Sequence, residues 1–117
     1  MFQEMMVASG GGGGSKCEYI GTLPSTGKVT CGFKPNHIIM TCTITSGGNT
    51  MVNSIVYDRD IAPTKYRFFN GTSYQNVETS VGDTGSYGFT SVDEADGFIF
   101  NPSYVSRVSN AWYIATP

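Results

Sequence analysis

From about Gly27 to Ala115 the chain alternates hydrophobic and polar residues in short segments, which Gly, Asn, Asp and Pro residues separate. Alternation with a period of two places successive side chains on opposite faces of a β-strand, whereas an amphipathic helix repeats every 3.6 residues. Within His37 to Thr45, one face takes four apolar side chains, Ile38, Met40, Cys42 and Ile44. No window has a convincing helical period, so the pattern predicts an all-β protein.

Turn signals divide this region into eight or nine short strands, the number typical of an antiparallel β-sandwich or jelly-roll-like domain. The clearest signals are Gly47-Gly48-Asn49, Asn70-Gly71 and Asp96-Gly97, since these residues tolerate the backbone angles of tight turns. The strands predicted most clearly are Lys28 to Phe33, His37 to Thr45, Met51 to Asp58, Lys65 to Phe69, Ser73 to Val77, Tyr87 to Val92, Phe98 to Asn101 and Asn110 to Ala115.

Residues 1–15 are predicted to be separate from the β-domain of residues 16–117. They form an extended arm in which a short apolar peptide precedes five glycines, Gly10 to Gly14. Glycine loses more conformational freedom on ordering than any other residue, so this arm does not order without contacts. It is either a flexible leader and linker or an anchor held by a partner subunit. We favour the anchor, whose apolar contact residues would be Met1, Phe2, Met5, Met6 and Val7.

Composition excludes several classes of function. With 117 residues the chain is long enough for one domain with its own core. Its net charge of −2 and 14% charged residues give no basic face for nucleic acid. No apolar stretch is long enough to insert into a membrane. The start of the chain has neither a basic region nor a long apolar region, so no secretory signal is predicted.

The three cysteines, Cys17, Cys31 and Cys42, are odd in number and lack CxxC spacing. A disulfide framework shows an even count, and zinc needs paired ligands at close spacing. Three free thiols are therefore expected, with a Cys31–Cys42 bridge between neighbouring strands as the alternative. His37 is the single histidine and follows a proline turn, which predicts a surface or strand-edge position.

No enzymatic motif has its required spacing. Gly10 to Lys16 is similar to a phosphate loop, but Ser15 occupies the last glycine position and Cys17 the magnesium-binding hydroxyl position. No nucleophile elbow accompanies His37, and no pair of acids is fixed for glycoside cleavage. We therefore expect a protein that is not an enzyme and has no cofactor and no metal ligand.

Acidic residues cluster in two places, at Asp58 and Asp60 and within Asp93 to Asp96. Calcium takes oxygen ligands from such loops, but the EF-hand spacing is missing. Solvated turn acids are the favoured interpretation, and calcium binding remains the alternative.

Adjacent aromatic residues indicate a covered surface. Phe68-Phe69 and Trp112-Tyr113 lie within predicted strands, where neighbouring side chains point to opposite faces. One face of each pair is therefore exposed or covered by a partner, which indicates oligomerisation.

Five segments carry a resemblance to a known class of proteins: Thr30 to Pro35, Ile55 to Asp58, Lys65 to Arg67, Asp96 to Phe98 and Trp112 to Ala115. Their order and spacing resemble those of small β-domains that tailed bacteriophages and prophages encode in tail-fibre, receptor-binding and other virion-surface proteins. The resemblance covers roughly residues 27–115. The chain has no shaft repeat, which leaves a free-standing virion decoration open.

The resemblance implies a virion protein that is made in the bacterial cytoplasm and assembles as a homo-oligomer, by analogy a trimer. Its arm would bind other virion proteins, and its β-domain would attach to a host-surface glycan or protein. The alternative is a capsid or tail decoration that stabilises the particle without binding the host. Because binding residues usually lie on loops of a rigid scaffold, the candidates for recognition are Asp60, Lys65, Asn70, Tyr74, Tyr104 and Arg107.

Overall fold

A computed structural model describes residues 14–71 and 76–117. This part of the chain contains nine β-strands and one short 3₁₀ helix, which lies between the last two strands. The strands are β1 (Lys16–Gly21), β2 (Lys28–Thr30), β3 (His37–Ser46), β4 (Asn49–Asp58), β5 (Lys65–Asn70), β6 (Asn76–Ser80), β7 (Phe89–Glu94), β8 (Gly97–Phe100) and β9 (Val108–Thr116). The 3₁₀ helix spans Pro102–Arg107.

The strands form two antiparallel sheets. The larger sheet has six strands in the order β1-β9-β3-β4-β5-β6, and the smaller has three in the order β2-β8-β7. In the central hairpin, Ser46 pairs with Asn49 across a two-residue turn. Gly47 and Gly48 form that turn with φ angles of 58° and 85°, which favour glycine. The prediction of an all-β antiparallel sandwich with eight to nine strands is confirmed.

Several predicted boundaries are wrong. Strand β1 was not predicted, because polar and apolar residues alternate in it only from Lys16 to Tyr19, ahead of the region of regular alternation that begins near Gly27. Strand β6 extends to Ser80, beyond the predicted end at Val77, and β7 begins at Phe89 rather than Tyr87.

The segment after Asn101, where the sequence pattern predicts no strand, forms the 3₁₀ helix. The Asn101 side-chain oxygen accepts a hydrogen bond from the Ser103 amide at 3.0 Å and thereby caps the helix. Pro102 begins the helix, where a missing N–H group costs nothing. At six residues the helix is too short to show a period in the sequence.

A chain of buried aromatic rings joins the two sheets. Tyr113 of the larger sheet meets Phe98 of the smaller sheet edge to face, with ring centroids 5.4 Å apart. Phe98 packs against Phe89 with ring centroids 5.1 Å apart. Phe89 packs in turn against Tyr66 of the larger sheet, with ring centroids 5.6 Å apart. All four residues are at most 1% exposed. Edge-to-face pairs contribute about 0.5–1.5 kcal/mol each beyond the burial of apolar area.

Arg59 joins the two sheets at one end of the sandwich. It follows β4, and its guanidinium group donates to the Asn36 side chain at 2.8 Å and to the carbonyl oxygens of Pro35 and Val92 at 2.8 and 2.6 Å. It also donates to the Asp93 carboxylate at 2.8 Å. A planar group with five donors can satisfy these acceptors together, which a lysine ammonium cannot do.

We expect Arg59→Lys to lower the free energy of unfolding by about 3 kcal/mol, because carbonyl acceptors that are partly buried would lose donors. Urea denaturation followed by tryptophan fluorescence measures the change. Arg67→Lys is the matched control, since Arg67 is exposed on β5, and it should change stability by less than about 0.5 kcal/mol. Equal effects of the two substitutions would contradict the role assigned to Arg59.

Candidate functional site

The outer face of the larger sheet carries apolar side chains that no described part of the chain covers. Four of them are exposed: Tyr19 is 64% exposed, Val52 55%, Ile39 44% and Trp112 41%. Val56 and Ile114 are half-buried on the same face. These six residues, Tyr19, Ile39, Val52, Val56, Trp112 and Ile114, are called the apolar outer face below.

Strand register places five of these residues in two rows. Tyr19 of β1 pairs with Trp112 of β9. Ile39 of β3 pairs with Ile114 on one side and with Val56 on the other. Directly paired residues of antiparallel strands have Cβ atoms about 4.5–5.5 Å apart, so their side chains are in contact. Val52 pairs instead with Thr43, and Thr41 pairs with Trp112, so polar side chains divide the apolar surface.

A depression of about 380 Å³ continues the apolar outer face towards β5 and the loop before it. Val56, Phe69 and the aliphatic part of Lys65 line it, together with Ile61, which is 77% exposed. Lys65 and Glu78 form an ion pair at 3.5 Å at its rim. The depression therefore has largely apolar walls and an ion pair at its rim.

The sequence indicated only part of this surface. Alternation in β9 places Tyr113 in the core, 1% exposed, and Trp112 outside, as the adjacent aromatic pair predicts. Tyr19 was missed because β1 was not predicted. The partly buried ring of Phe68 packs against the core, and Phe69 lines the outer depression.

His37 lies at the start of β3, where strand register brings it beside Asp58. Its Nε2 is 3.1 Å from an Asp60 oxygen and 3.4 Å from an Asp58 oxygen, and its Nδ1 is 2.7 Å from the Thr116 hydroxyl. The three possible ligand atoms lie within 4.8 Å of one another. A divalent cation could use such a set. Both ring nitrogens already have hydrogen-bond partners, and the Asp60 side chain is 78% exposed, so these residues form a hydrogen-bonded cluster at the surface.

The predicted recognition residues do not form one surface. Asp60 and Lys65 lie near His37 at the start of β3, whereas Arg107 contacts Ser46 at the end of β3. Ten residues of extended strand separate these ends by about 30 Å. Asn70 and Tyr104 lie towards the second end, which is called the Ser46 end below. Tyr74 and the predicted anchor residues Met1, Phe2, Met5, Met6 and Val7 lie outside the described residues.

Side chains at the Ser46 end hold one another in place. Arg107 donates to the Tyr87 hydroxyl at 2.7 Å and lies over the Tyr104 ring, 5.3 Å from its centroid. The Tyr87 and Tyr104 rings are 4.3 Å apart. The Ser46 hydroxyl and then Arg107 lower the pKa of Tyr87, because hydrogen bonds to the phenolate stabilise it.

Asn101 holds the loop that carries Tyr87 through hydrogen bonds from its side chain. It is 1% exposed, and its side-chain amide donates to the carbonyl oxygens of Thr84 and Ser86 at 3.0 and 2.9 Å. The same side chain caps the 3₁₀ helix on which Tyr104 and Arg107 lie. One buried polar residue therefore fixes both segments that supply the aromatic cluster.

The three cysteines are free thiols. Cys31 and Cys42 are buried, and Cys17 is half-buried on the edge strand β1. Burial raises the pKa of Cys42 to about 12, because a thiolate loses its hydration there. Burial also raises the pKa of Cys31, whose S–H group donates to the Phe33 carbonyl at 3.3 Å.

No family model matches the chain, and neither a curated protein nor a solved structure matches it. Over residues 14–71 and 76–117, no helix has the length and apolar character needed to cross a bilayer.

Alkylation with iodoacetamide should label Cys17 first and leave Cys42 unlabelled until the protein unfolds. With a folded-state pKa of about 12, Cys42 is almost entirely in the unreactive thiol form at pH 8. Peptide mass mapping after timed quenching gives the rate at each position. Labelling of Cys42 in the native state as fast as that of Cys17 would show that the core is open.

Proposed function

We propose that this chain is a non-enzymatic structural protein of a bacteriophage virion that displays a β-sandwich on the particle surface for host attachment. The phage assignment comes from the order of the motifs between Thr30 and Ala115. The observation that carries the assembly role is the apolar outer face, where four large apolar side chains are between 41% and 64% exposed.

The occupant we propose for this face is a second copy of the same chain. At ~4.8 Å between strands and ~3.3 Å per residue, the six-stranded sheet has a face on the order of 800 Å². This is about the area that each partner buries in an interface of standard size. Charges of both signs at the rim, Lys65 and Glu78, avoid repulsion between identical copies.

A face that packs on an identical face generates a two-fold pair. A dimer is therefore the unit that this observation supports, whereas the resemblance implies a trimer. The arm of residues 1–15 would connect the assembled domains to other virion proteins.

Host attachment would use the Ser46 end, where Tyr104 and Arg107 lie beside Tyr87. Hydrogen bonds from Asn101 hold the loop that carries Tyr87. Decoration of the capsid or tail without host binding is the second candidate. It is favoured by the position of Asp60 and Lys65 at the opposite end of the sandwich, because recognition residues so far apart do not converge on one receptor.

Ile39→Glu should convert the wild-type dimer to a monomer, with the dissociation constant raised at least about 100-fold. The substitution places one carboxylate from each copy in a desolvated apolar centre, which costs several kcal/mol. Sedimentation velocity across a concentration series measures the assembly state, and thermal unfolding of the variant monomer checks its fold.

Ser103→Glu is the control, because Ser103 is exposed on the 3₁₀ helix away from this face. It adds the same charge and should leave the dimer intact. A wild-type monomer at all concentrations would overturn the proposed pairing, and a trimer that Ile39→Glu does not dissociate would assign assembly to another surface.

Deletion of residues 1–14 should release the protein from virions of the phage that encodes it, since these residues are the proposed anchor. Immunoblots of purified particles measure incorporation, and full incorporation of the shortened chain would show that the anchor is elsewhere. Particles that lack the whole protein distinguish the two functions. Lost adsorption with normal particle stability supports host attachment, and normal adsorption with reduced stability supports decoration.

A further inference from the structure

Strand pairing brings three potential metal ligands, His37, Asp58 and Asp60, together at one end of the larger sheet. His37 begins β3 and pairs with Asp58, the last residue of β4, and on its other side with Thr116 of β9. Asp60 follows in the turn after β4, where its amide donates to an Asp58 carboxylate oxygen at 3.0 Å. The register of the sheet therefore assembles this group, which local spacing in the sequence does not show.

The distances between the ligand atoms fit one coordination shell. The Nε2 atom of His37 lies 3.1 Å from an Asp60 oxygen and 3.4 Å from an Asp58 oxygen. Bonds of about 2.0–2.1 Å from zinc at tetrahedral angles place neighbouring ligand atoms roughly 3.3 Å apart. One ligand atom from each of the three residues lies within 4.8 Å of the others. The Asp60 side chain is 78% exposed, so its carboxylate is free to adjust around an ion.

The carboxylates of Asp58 and Asp60 have no lysine or arginine partner over residues 14–71 and 76–117. In this part of the chain, His37 is the one basic group within 4.0 Å of either carboxylate. Arg59 lies between them in the sequence, but its guanidinium group donates to β7 and to the loop before β3. Two adjacent carboxylates disfavour each other's charged form, and a cation between them offsets this effect.

The second ring nitrogen of His37 has the kind of partner that metal-binding histidines have. Its Nδ1 lies 2.7 Å from the Thr116 hydroxyl oxygen. When Nδ1–H donates to that oxygen, Nε2 presents its lone pair to the space beside the two carboxylates. Such a bond fixes the tautomer and the ring orientation of a ligating histidine. A metal ion in front of Nε2 takes the place of a proton and leaves the bond to Thr116 intact.

We infer that His37, Asp58 and Asp60 bind a divalent transition-metal ion, for which zinc has the best-matched geometry. An imidazole nitrogen in the ligand set favours zinc over calcium and magnesium, which take shells of oxygen atoms. Three protein ligands leave at least one coordination position to water. The side chains are 43%, 34% and 78% exposed in the order given, so an ion reaches them without opening the fold.

A bound ion would cross-link the start of β3, the end of β4 and the turn that follows. This turn carries Arg59, which joins the two sheets, and Ile61, which lines the depression on the outer face. Because the ion binds the folded arrangement of the three ligands, it stabilises the folded state. All three ligands belong to one copy of the chain, so the site depends neither on how copies pair nor on the proposed virion function.

The test is a titration of the ¹⁵N-labelled full-length chain, without a histidine tag, with zinc chloride. His37 is the single histidine, so the ring signals belong to one residue. Zinc should shift the Nε2 signal to that of a metal-bound nitrogen, with saturation in the micromolar range. At a zinc concentration about 100 times the dissociation constant, the midpoint of thermal unfolding should rise by roughly 10 °C.

Asp60→Asn and Asp93→Asn form a matched pair of variants. The two side chains are 78% and 70% exposed, both lie at the end of the sandwich that carries Arg59, and both substitutions remove one negative charge. Asp60→Asn should weaken zinc binding at least about tenfold, whereas Asp93→Asn should change it by less than about twofold, since its charge is screened. His37→Gln should abolish binding. None of these side chains is buried, so the fold is retained.

Cobalt(II) in place of zinc identifies the ligand atoms. A visible spectrum without a thiolate charge-transfer band supports nitrogen and oxygen ligands, whereas that band would assign the ion to a cysteine and overturn the site. An unchanged Nε2 signal in millimolar zinc would also overturn it, as would equal affinities of the two asparagine variants. Tighter binding of calcium than of zinc would contradict the assignment to a transition metal.

Discussion

The rest of the structure depends on the edge-to-face chain of aromatic rings that joins the two sheets. Tyr113 and Tyr66 belong to the six-stranded sheet, and Phe98 and Phe89 belong to the three-stranded sheet. The rings of the smaller sheet contact the larger sheet at two strands, β9 through Tyr113 and β5 through Tyr66. These two contacts fix the smaller sheet over that part of the larger sheet. Gly88 shows how close this packing is, since a Cβ atom there would overlap the Tyr66 ring.

This placement of the smaller sheet decides where ligand-accessible surface remains. A three-stranded layer cannot cover six strands. Part of the inner face of β4 and β5 therefore lies opposite the loop that carries Tyr87 instead of opposite the smaller sheet. Asn101 and Arg107 hold that loop at a distance from Asn53. A cavity of about 320 Å³ at the Ser46 end, between Asn53 and Tyr87, is thus a consequence of unequal sheets. The apolar outer face has a different origin, because nothing in the described chain forms a third layer over it.

The apolar outer face and the inner cavity lie on opposite sides of the larger sheet. Ile39 and Trp112 point away from the sandwich, whereas Asn53 points between its layers, because neighbouring strand positions alternate between faces. Pairing of two copies through the outer face would leave the Ser46 ends open on both.

The sequence by itself determined the fold class and which residues of β3 point inward or outward. Alternation with a period of two is a local property, and the apolar side of an alternating strand is the side that is buried. It did not reveal β1, a short edge strand ahead of the alternating region, or the six-residue 3₁₀ helix, which depends on the cap by Asn101. Tertiary structure alone placed His37 beside Asp60 and buried the Asn53 side-chain oxygen without a hydrogen-bond partner among the described residues. Both result from strand pairing and layer placement between distant segments, which a pattern of neighbouring residues does not encode.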